Sequence, residues 1–407
     1  MSSPVNRPPY GRDANLHRGT ASVYGGSTGA STGGRAYRGD AYGDPYGDPY
    51  SGGRDPRYGA PAYPAKKARP RWRRIALITT GLFSVLALFL AGCGLAYYTS
   101  LDDNLRRTSA FAGLTDRPGK PVEGTQNILL VGSDSRDGGD YDPKAAPGVK
   151  NPRSRGNERA DTLMVLHIPE AHDKAYLISI PRDTYVFVPE YKGKGGRKAK
   201  INAAFAWGGL PLTVMTVERF TGVKMDHVLE IDFNGFRAMT DALGGVDVTV
   251  SKTVYDPRSK RTFKQGVVHL DGAAALDYVR QRYNLPRGDF DRVQRQQIFL
   301  RALLKKATDS GTITNPVKLK AFLDTATKAL TVDEEFSLSG FAFEFRSIRA
   351  SDLSFVTSPH LGSQTVDGQS VVVADKAKAV ALWDAVGNDG VAAWLAKNKG
   401  NNGTVGR

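Results

Sequence analysis

Between Ile75 and Tyr98 the chain runs for 24 residues without a charged side chain, long enough at about 1.5 Å per residue to cross a bilayer as a helix. Lys66, Lys67, Arg69, Arg71, Arg73 and Arg74 stand before this run, and Asp102 and Asp103 follow it. Basic flanks stay on the cytoplasmic side, so the asymmetry predicts a single-pass signal anchor over 75–98, with residues 1–74 cytoplasmic and everything after about residue 99 outside the cell membrane. A domain placed there works without cytosolic nucleotides. The sole cysteine, Cys93, lies inside the run, so the exterior part has no disulfide and no thiol nucleophile. Leu90-Ala-Gly-Cys93 also has the form of a lipobox, and lipid attachment at Cys93 is the alternative way of anchoring. The long stretch ahead of it favours the uncleaved anchor.

Residues 1–74 are Gly, Tyr, Pro, Ser and Arg with almost no aliphatics, including the tandem Tyr42-Gly-Asp-Pro-Tyr-Gly-Asp-Pro-Tyr50. Such a segment cannot bury enough surface to offset its chain entropy, and a disordered tail is expected. It carries about +8 of the formal net charge of +15, so the basic excess is shared with the exterior part and suits anionic partners. Nothing in the tail resembles a folded reader of nucleic acid, and no nucleic-acid partner is expected.

Beyond the membrane the pattern predicts a polar linker over 99–123, broken by Pro118 and Pro121, an α/β domain over 124–390, and a flexible Lys-, Asn- and Gly-rich tail over 391–407. Apolar runs at 127–131, 162–168, 175–180, 227–231, 246–250, 353–357 and 370–374 read as strands. Amphipathic stretches at 211–220, 233–243, 316–330, 338–348 and 375–385 read as helices. Alternation of the two indicates a central sheet with flanking helices.

Charge gathers where these strands stop. The first ends in Gly132-Ser-Asp134-Ser-Arg136, and the second starts after Arg159-Ala-Asp161. Antiparallel pairing would bring Asp134 beside Asp161. Two carboxylates at a phosphate-attracting site suggest Mg²⁺, which takes few protein oxygens, while Asp in a turn or cap is the plainer alternative. The third strand ends in Pro181-Arg182-Asp183, and residues 137–158 read as an exposed loop. Tyr278 to Gln297 then holds five arginines among Tyr, Val, Leu and Phe. If 278–283 is extended, Arg280 and Arg282 project from one face. A helix beginning near Asp289 or Asp291 puts Arg292 and Gln296 on a common face, with Phe299, Leu300, Leu303, Leu304 and Ala307 opposite. Guanidinium forks match phosphate oxygens, and a solvated salt-bridge helix is the alternative.

Six segments in register, Asn127 to Arg136, Arg159 to Met164, Ile178 to Asp183, Lys200 to Phe205, Gly244 to Val246, and Ala275 to Arg282 continued by Gly288 to Gln296, together resemble the LytR-CpsA-Psr family. The resemblance covers roughly residues 125–308. It implies an α-β-α sandwich with a mixed central sheet that holds a polyprenyl diphosphate in a hydrophobic tunnel. The implied reaction moves a glycopolymer from its polyprenyl-diphosphate carrier to a peptidoglycan hydroxyl, as with teichoic acid, arabinogalactan or capsule. Position by position, Asp134 and Asp161 would hold Mg²⁺ or Mn²⁺, and Arg182, Arg280, Arg282 and Arg292 would contact the diphosphate. Arg136, Lys200 and Gln296 would add head-group contacts, and Asp289 would orient Arg292 or assist proton removal. The loop between Asp134 and Asp161 is longer than the family pattern, and the Tyr-rich tail lies outside it. A lipid-diphosphate hydrolase and a non-catalytic envelope regulator are the competing readings. Gly-x-Ser-x-Gly occurs only in the low-complexity tail, at 25–29 and 29–33, and neither it, nor a His-Glu-x-x-His, nor a phosphate-binding Gly-Lys-Ser/Thr loop is present in the exterior part. His167 and His227 are expected to be packed.

Overall fold

The computed structural model describes residues 71–134 and 159–398, so the expectations for the cytoplasmic tail, the 137–158 loop, Arg136 and the last residues of the C-terminal tail lie outside the described residues. A long helix, α1 (Arg71–Asp103), leads to β1 (Arg106–Thr108) and β2 (Gln126–Ser133). Then come β3 (Ala160–Ile168), β4 (Ala175–Ile180), a hairpin of β5 (Tyr185–Val188) and β6 (Arg197–Lys200), and α2 (Ala203–Thr221). Next are β7 (His227–Asp232), α3 (Phe233–Ala242), β8 (Val246–Val250), β9 (Val254–Asp256), β10 (Arg261–Phe263) and β11 (Gly266–Leu270). The arginine stretch falls on α4 (Gly272–Arg280) and α5 (Asp289–Ala307). The chain continues through α6 (Ser310–Ile313), α7 (Pro316–Ala329), β12 (Leu330–Asp333), α8 (Leu338–Phe345) and β13 (Leu353–Thr357). It closes with β14 (His360–Val366), β15 (Gln369–Ala374), α9 (Lys376–Gly387) and α10 (Val391–Lys397).

Seven strands make one mixed sheet in the order β1-β12-β7-β2-β3-β4-β13. Strand alternation sends successive side chains of β2 to opposite faces. Leu129 and Val131 join Leu163, Ile178 and the α2 and α9 residues Leu212, Val217, Leu382 and Trp383. Ile128 joins Met164, Leu166 and Leu177 on the other face, under Leu300 and Leu304 of α5 and Phe341 and Phe345 of α8. A third cluster ties β8 and β11 to α4 and α5 through Val248, Leu270, Tyr278 and Phe299. The α-β-α sandwich expected from sequence is thus present. Each fully buried Leu or Ile here contributes about 1.5–3 kcal/mol, so a charged residue at Leu163 would break the sandwich at its centre.

Apolar side chains of α1 from Leu82 to Leu95 are largely exposed, as for a helix whose surroundings are lipid rather than protein.

Two boundaries differ from the sequence expectation. The 99–123 linker contains β1, which pairs with β12 at the sheet edge, and it buries Leu105 and Ala110. Arg117 further ties it down, with Nη2 2.7 Å from Oε1 of the buried Glu218. Three polar residues are too short a strand to show periodicity, so only pairing revealed it. The tail expected to be flexible from 391 starts instead with α10, whose Val391 and Trp394 are buried in the same core as α9.

Candidate active site

The site lies at the end of the sheet where β2 finishes. β3 runs antiparallel to β2 with Ser133 opposite Ala160, and the Asp134 N–H donates to the Arg159 carbonyl at 2.9 Å. Asp134 and Asp161 therefore line one polar cavity of about 200 Å³. Six guanidiniums share it, those of Arg159, Arg182, Arg258, Arg280, Arg282 and Arg292, together with Gln296. Six cations against two carboxylates make a strongly positive hollow that matches a polyanion.

Different elements deliver these groups. Arg182 sits in the turn after β4 and pairs with Asp161; its Nε is 3.9 Å from both Asp183 and Asp289 carboxylate oxygens. Arg292, one turn into α5, places Nη2 2.8 Å from Asp289 Oδ1. Asp289 thus bridges two of the cavity arginines without lining the cavity itself. The extended reading of 278–283 is corrected: Asp271 accepts from the Ala274 N–H at 2.7 Å and starts a helix that carries Arg280 as its last residue. Gln281 leaves the helix with φ −62° and ψ 130°, and this change of direction still brings both Arg280 and Arg282 to the cavity. Arg280 lies over the Phe233 ring, 4.3 Å from its centre.

Burial pulls the Arg292 guanidinium down to about 10, with Asp289 opposing the shift, so it remains charged at neutral pH. Burial and the neighbouring Arg258 also lower Arg280. Arg182 moves the other way: burial works against its charge, but Asp161, Asp183 and Asp289 outweigh it. The buried Nε donors of Arg182 and Arg292 have no hydrogen-bond partner among the described residues. Donors left in this state are costly unless a ligand completes them.

Lys200 is not brought into the cavity. It lies on β6 in an adjoining open groove, its Nζ 3.4 Å from Asp183 Oδ1. Arg136 is outside the described residues. Phe233, Arg159 and Arg258 were not singled out from sequence. Arg159 had a signal, its place directly before Asp161 at a strand start. Arg258 lies between β9 and β10 with no local pattern to mark it. Among the described residues no group of three or more His, Cys, Asp or Glu converges as a metal site. The pair Asp134 and Asp161 nonetheless fits Mg²⁺, which binds through one or two carboxylates and completes its shell with phosphate and water.

An apolar pocket of about 210 Å³, walled by Leu130, Met164, Phe236, Phe299 and Leu300, adjoins the polar cavity and shares Thr162, Phe233, Val279 and Gln296 with it. A cationic hollow opening onto a greasy one suits an amphiphile with an anionic head.

The LytR_cpsA_psr family model matches residues 100–387. The chain belongs to the LytR-CpsA-Psr family. Its relatives include the cell wall biosynthesis protein LcpA of Corynebacterium glutamicum, 33% identical over 321 residues that cover 72% of this chain and 61% of the relative. Another is the polyisoprenyl-teichoic acid–peptidoglycan teichoic acid transferase TagU of Bacillus cereus, 37% identical over 187 residues, 45% of this chain and 60% of the relative. The chain thus spans about three-fifths of the length of each. A solved LytR-Csp2A-Psr enzyme from Actinomyces oris has the same fold, with a TM-score of 0.52 at 21% identity over 70% of this chain and 96% of that one. The LytR-CpsA-Psr match begins at residue 100, which agrees with β1 belonging to the sheet rather than to a linker.

Proposed function

We propose that this LytR-CpsA-Psr protein is a phosphotransferase that moves a glycopolymer from a polyprenyl-diphosphate carrier to peptidoglycan on the outer face of the cell membrane, with α1 as its anchor and the basic N-terminal segment inside. The observation that carries the reading is the junction of the six-arginine cavity with the apolar pocket. The relatives' names supply the substrate class, since TagU is named for transfer of polyisoprenyl-linked teichoic acid to peptidoglycan.

In this reading the apolar pocket takes the first part of the prenyl chain and the arginines take the diphosphate. The acceptor hydroxyl oxygen bonds to the sugar-bearing phosphorus, and the bridging P–O bond breaks. Polyprenyl phosphate leaves with the electron pair. Arg280, Arg282 and Arg292 meet the charge that moves onto the leaving phosphate, which is where fixed donors accelerate transfer most. Asp289 holds Arg182 and Arg292 in place. Asp183, beside Arg182 and lining the groove rather than buried behind it, takes the hydroxyl proton. Asp134 and Asp161 would hold Mg²⁺ or Mn²⁺, which when bound neutralises phosphate charge.

The test incubates the purified chain with a synthetic polyprenyl-diphosphate oligosaccharide and peptidoglycan fragments, with and without Mg²⁺, and reads products by mass spectrometry. A phosphodiester-linked adduct that falls more than about tenfold with chelator and disappears in Arg280→Ala and Arg282→Ala is expected. Free oligosaccharide phosphate alone would make the protein a hydrolase. Full activity in either arginine variant would overturn the site.

A further inference from the structure

The polar cavity has a second neighbour. An open groove of about 740 Å³ runs between the β5–β6 hairpin, the start of α2 and the β14–β15 hairpin. It shares Arg159, Arg182 and Arg282 with the cavity and no lining residue with the apolar pocket. The diphosphate cavity therefore lies between a lipid side and a groove side.

We propose that this groove is the acceptor subsite and that it takes a glycan bearing carboxylates, such as a peptide-substituted peptidoglycan strand; the inference rests on the transferase reading above. The first reason is stereochemical. In phosphoryl transfer the entering and leaving oxygens stand roughly in line across phosphorus. The leaving oxygen belongs to the lipid phosphate on the pocket side, so the entering hydroxyl approaches from the groove side.

The second reason is the chemistry of the walls. Arg197, Lys198 and Lys200 project from β6, giving the groove a cationic wall of its own beyond the three arginines it shares. Tyr185 and Trp207, both partly exposed, add rings that combine apolar surface with a polar edge, and Arg197 lies 4.5 Å from the Trp207 ring centre. Trp207 reaches this place because α2 is broken at Gly209, whose φ of 64° is open to glycine, so residues 203–208 form a helical segment separate from the rest. Cations beside aromatic rings in a groove over three times the volume of the cavity suit an anionic oligosaccharide better than a single phosphate.

The experiment uses the full chain in detergent with a fixed polyprenyl-diphosphate oligosaccharide donor and, as acceptor, a soluble peptidoglycan disaccharide carrying its peptide. Lys198→Glu and Trp207→Ala are compared with the native protein, with thermal melts to confirm folding. Acceptor KM and the acceptor Kd from calorimetry should each rise about tenfold, while donor KM stays unchanged. Amidating the acceptor's carboxylates should weaken its binding to the native protein to a similar degree. Unaltered acceptor KM and Kd in both variants would overturn the proposal, as would a rise in donor KM alone, which would make the groove a seat for the donor's polymer. If the native protein forms no adduct, the transferase reading fails separately. Calorimetry then still decides the groove: acceptor binding lost in the variants sustains it, and no acceptor binding by the native protein overturns it.

Discussion

Both ends of the central sheet are crowded with charge, and they treat it in opposite ways. Where β2 starts, Asp226 accepts from the Asn127 N–H at 2.8 Å and from Lys120 Nζ at 2.9 Å. Asn127 Oδ1 lies 2.7 Å from Nδ1 of the fully buried His167. Asp333, equally buried, lies 3.1 Å from His227 Nδ1 and accepts from the Val228 N–H at 3.0 Å. Every one of these charges is answered from within the chain. Where β2 ends, six arginines face two carboxylates, and two buried guanidinium nitrogens lack a hydrogen-bond partner among the described residues. The difference separates charge that holds the fold from charge that waits for a ligand, since an uncompensated cluster is tolerated only where function maintains it.

The largest expected effect lies at the open end. Arg280→Ala should lower kcat/KM for transfer by about 100- to 1,000-fold while the melting temperature stays nearly constant. A large fall in melting temperature would show that this arginine holds the fold as the closed end does. Asp333→Ala should do the reverse. Removing one partner of a buried pair costs about 3 kcal/mol, read by denaturant unfolding, with transfer per folded molecule unchanged.

Arg292 sharpens the contrast further. Its charge is held against burial by Asp289, so Arg292→Met should suppress transfer and, because Asp289 keeps Arg182 as a partner, cost less than the about 3 kcal/mol expected for a fully broken pair.

The smallest effect is acid sensitivity at the closed end. Burial lowers the His167 pKa, with Asp389 partly opposing it. Between the ordinary value of 6.5 and that lowered value the unfolded chain binds the extra proton, so stability should decline as pH falls below about 6.5. Asp333 adds a second loss at lower pH: despite burial, His227 and backbone N–H groups depress its pKa, so its stabilisation is present above 3.8 and goes as pH falls through the folded value. Thermal melts between pH 8 and pH 5 should show the first slope, at most about 2 kcal/mol, and His167→Gln should flatten it.

Much of this arrangement was legible in the chain. Apolar runs ending at Asp134 and Arg182, and one beginning at Asp161, marked the strand ends of the site, because a buried strand announces itself by composition and its terminus by the nearest charge. Antiparallel pairing of the first two strands was only the condition for Asp134 to meet Asp161, and the sheet register supplies it. The helical setting of Arg280 was missed because Tyr278 and Val279 favour strands, while the Asp271 cap and packing of Tyr278 against Phe263 decide otherwise. Arg258 was missed because a turn residue carries no periodicity.

The sequence alone determined the membrane-crossing length of the apolar run, the α/β class with a central sheet and the family motifs, since each depends on local composition or spacing. Tertiary structure decided what no local pattern holds: that β1 joins the sheet, that Asp289 braces arginines from two elements, and that Lys200 and Trp207 line a groove adjoining the polar cavity. Those relations join residues up to hundreds of positions apart, and only the packing of helices on both faces of the sheet brings them within reach of one another.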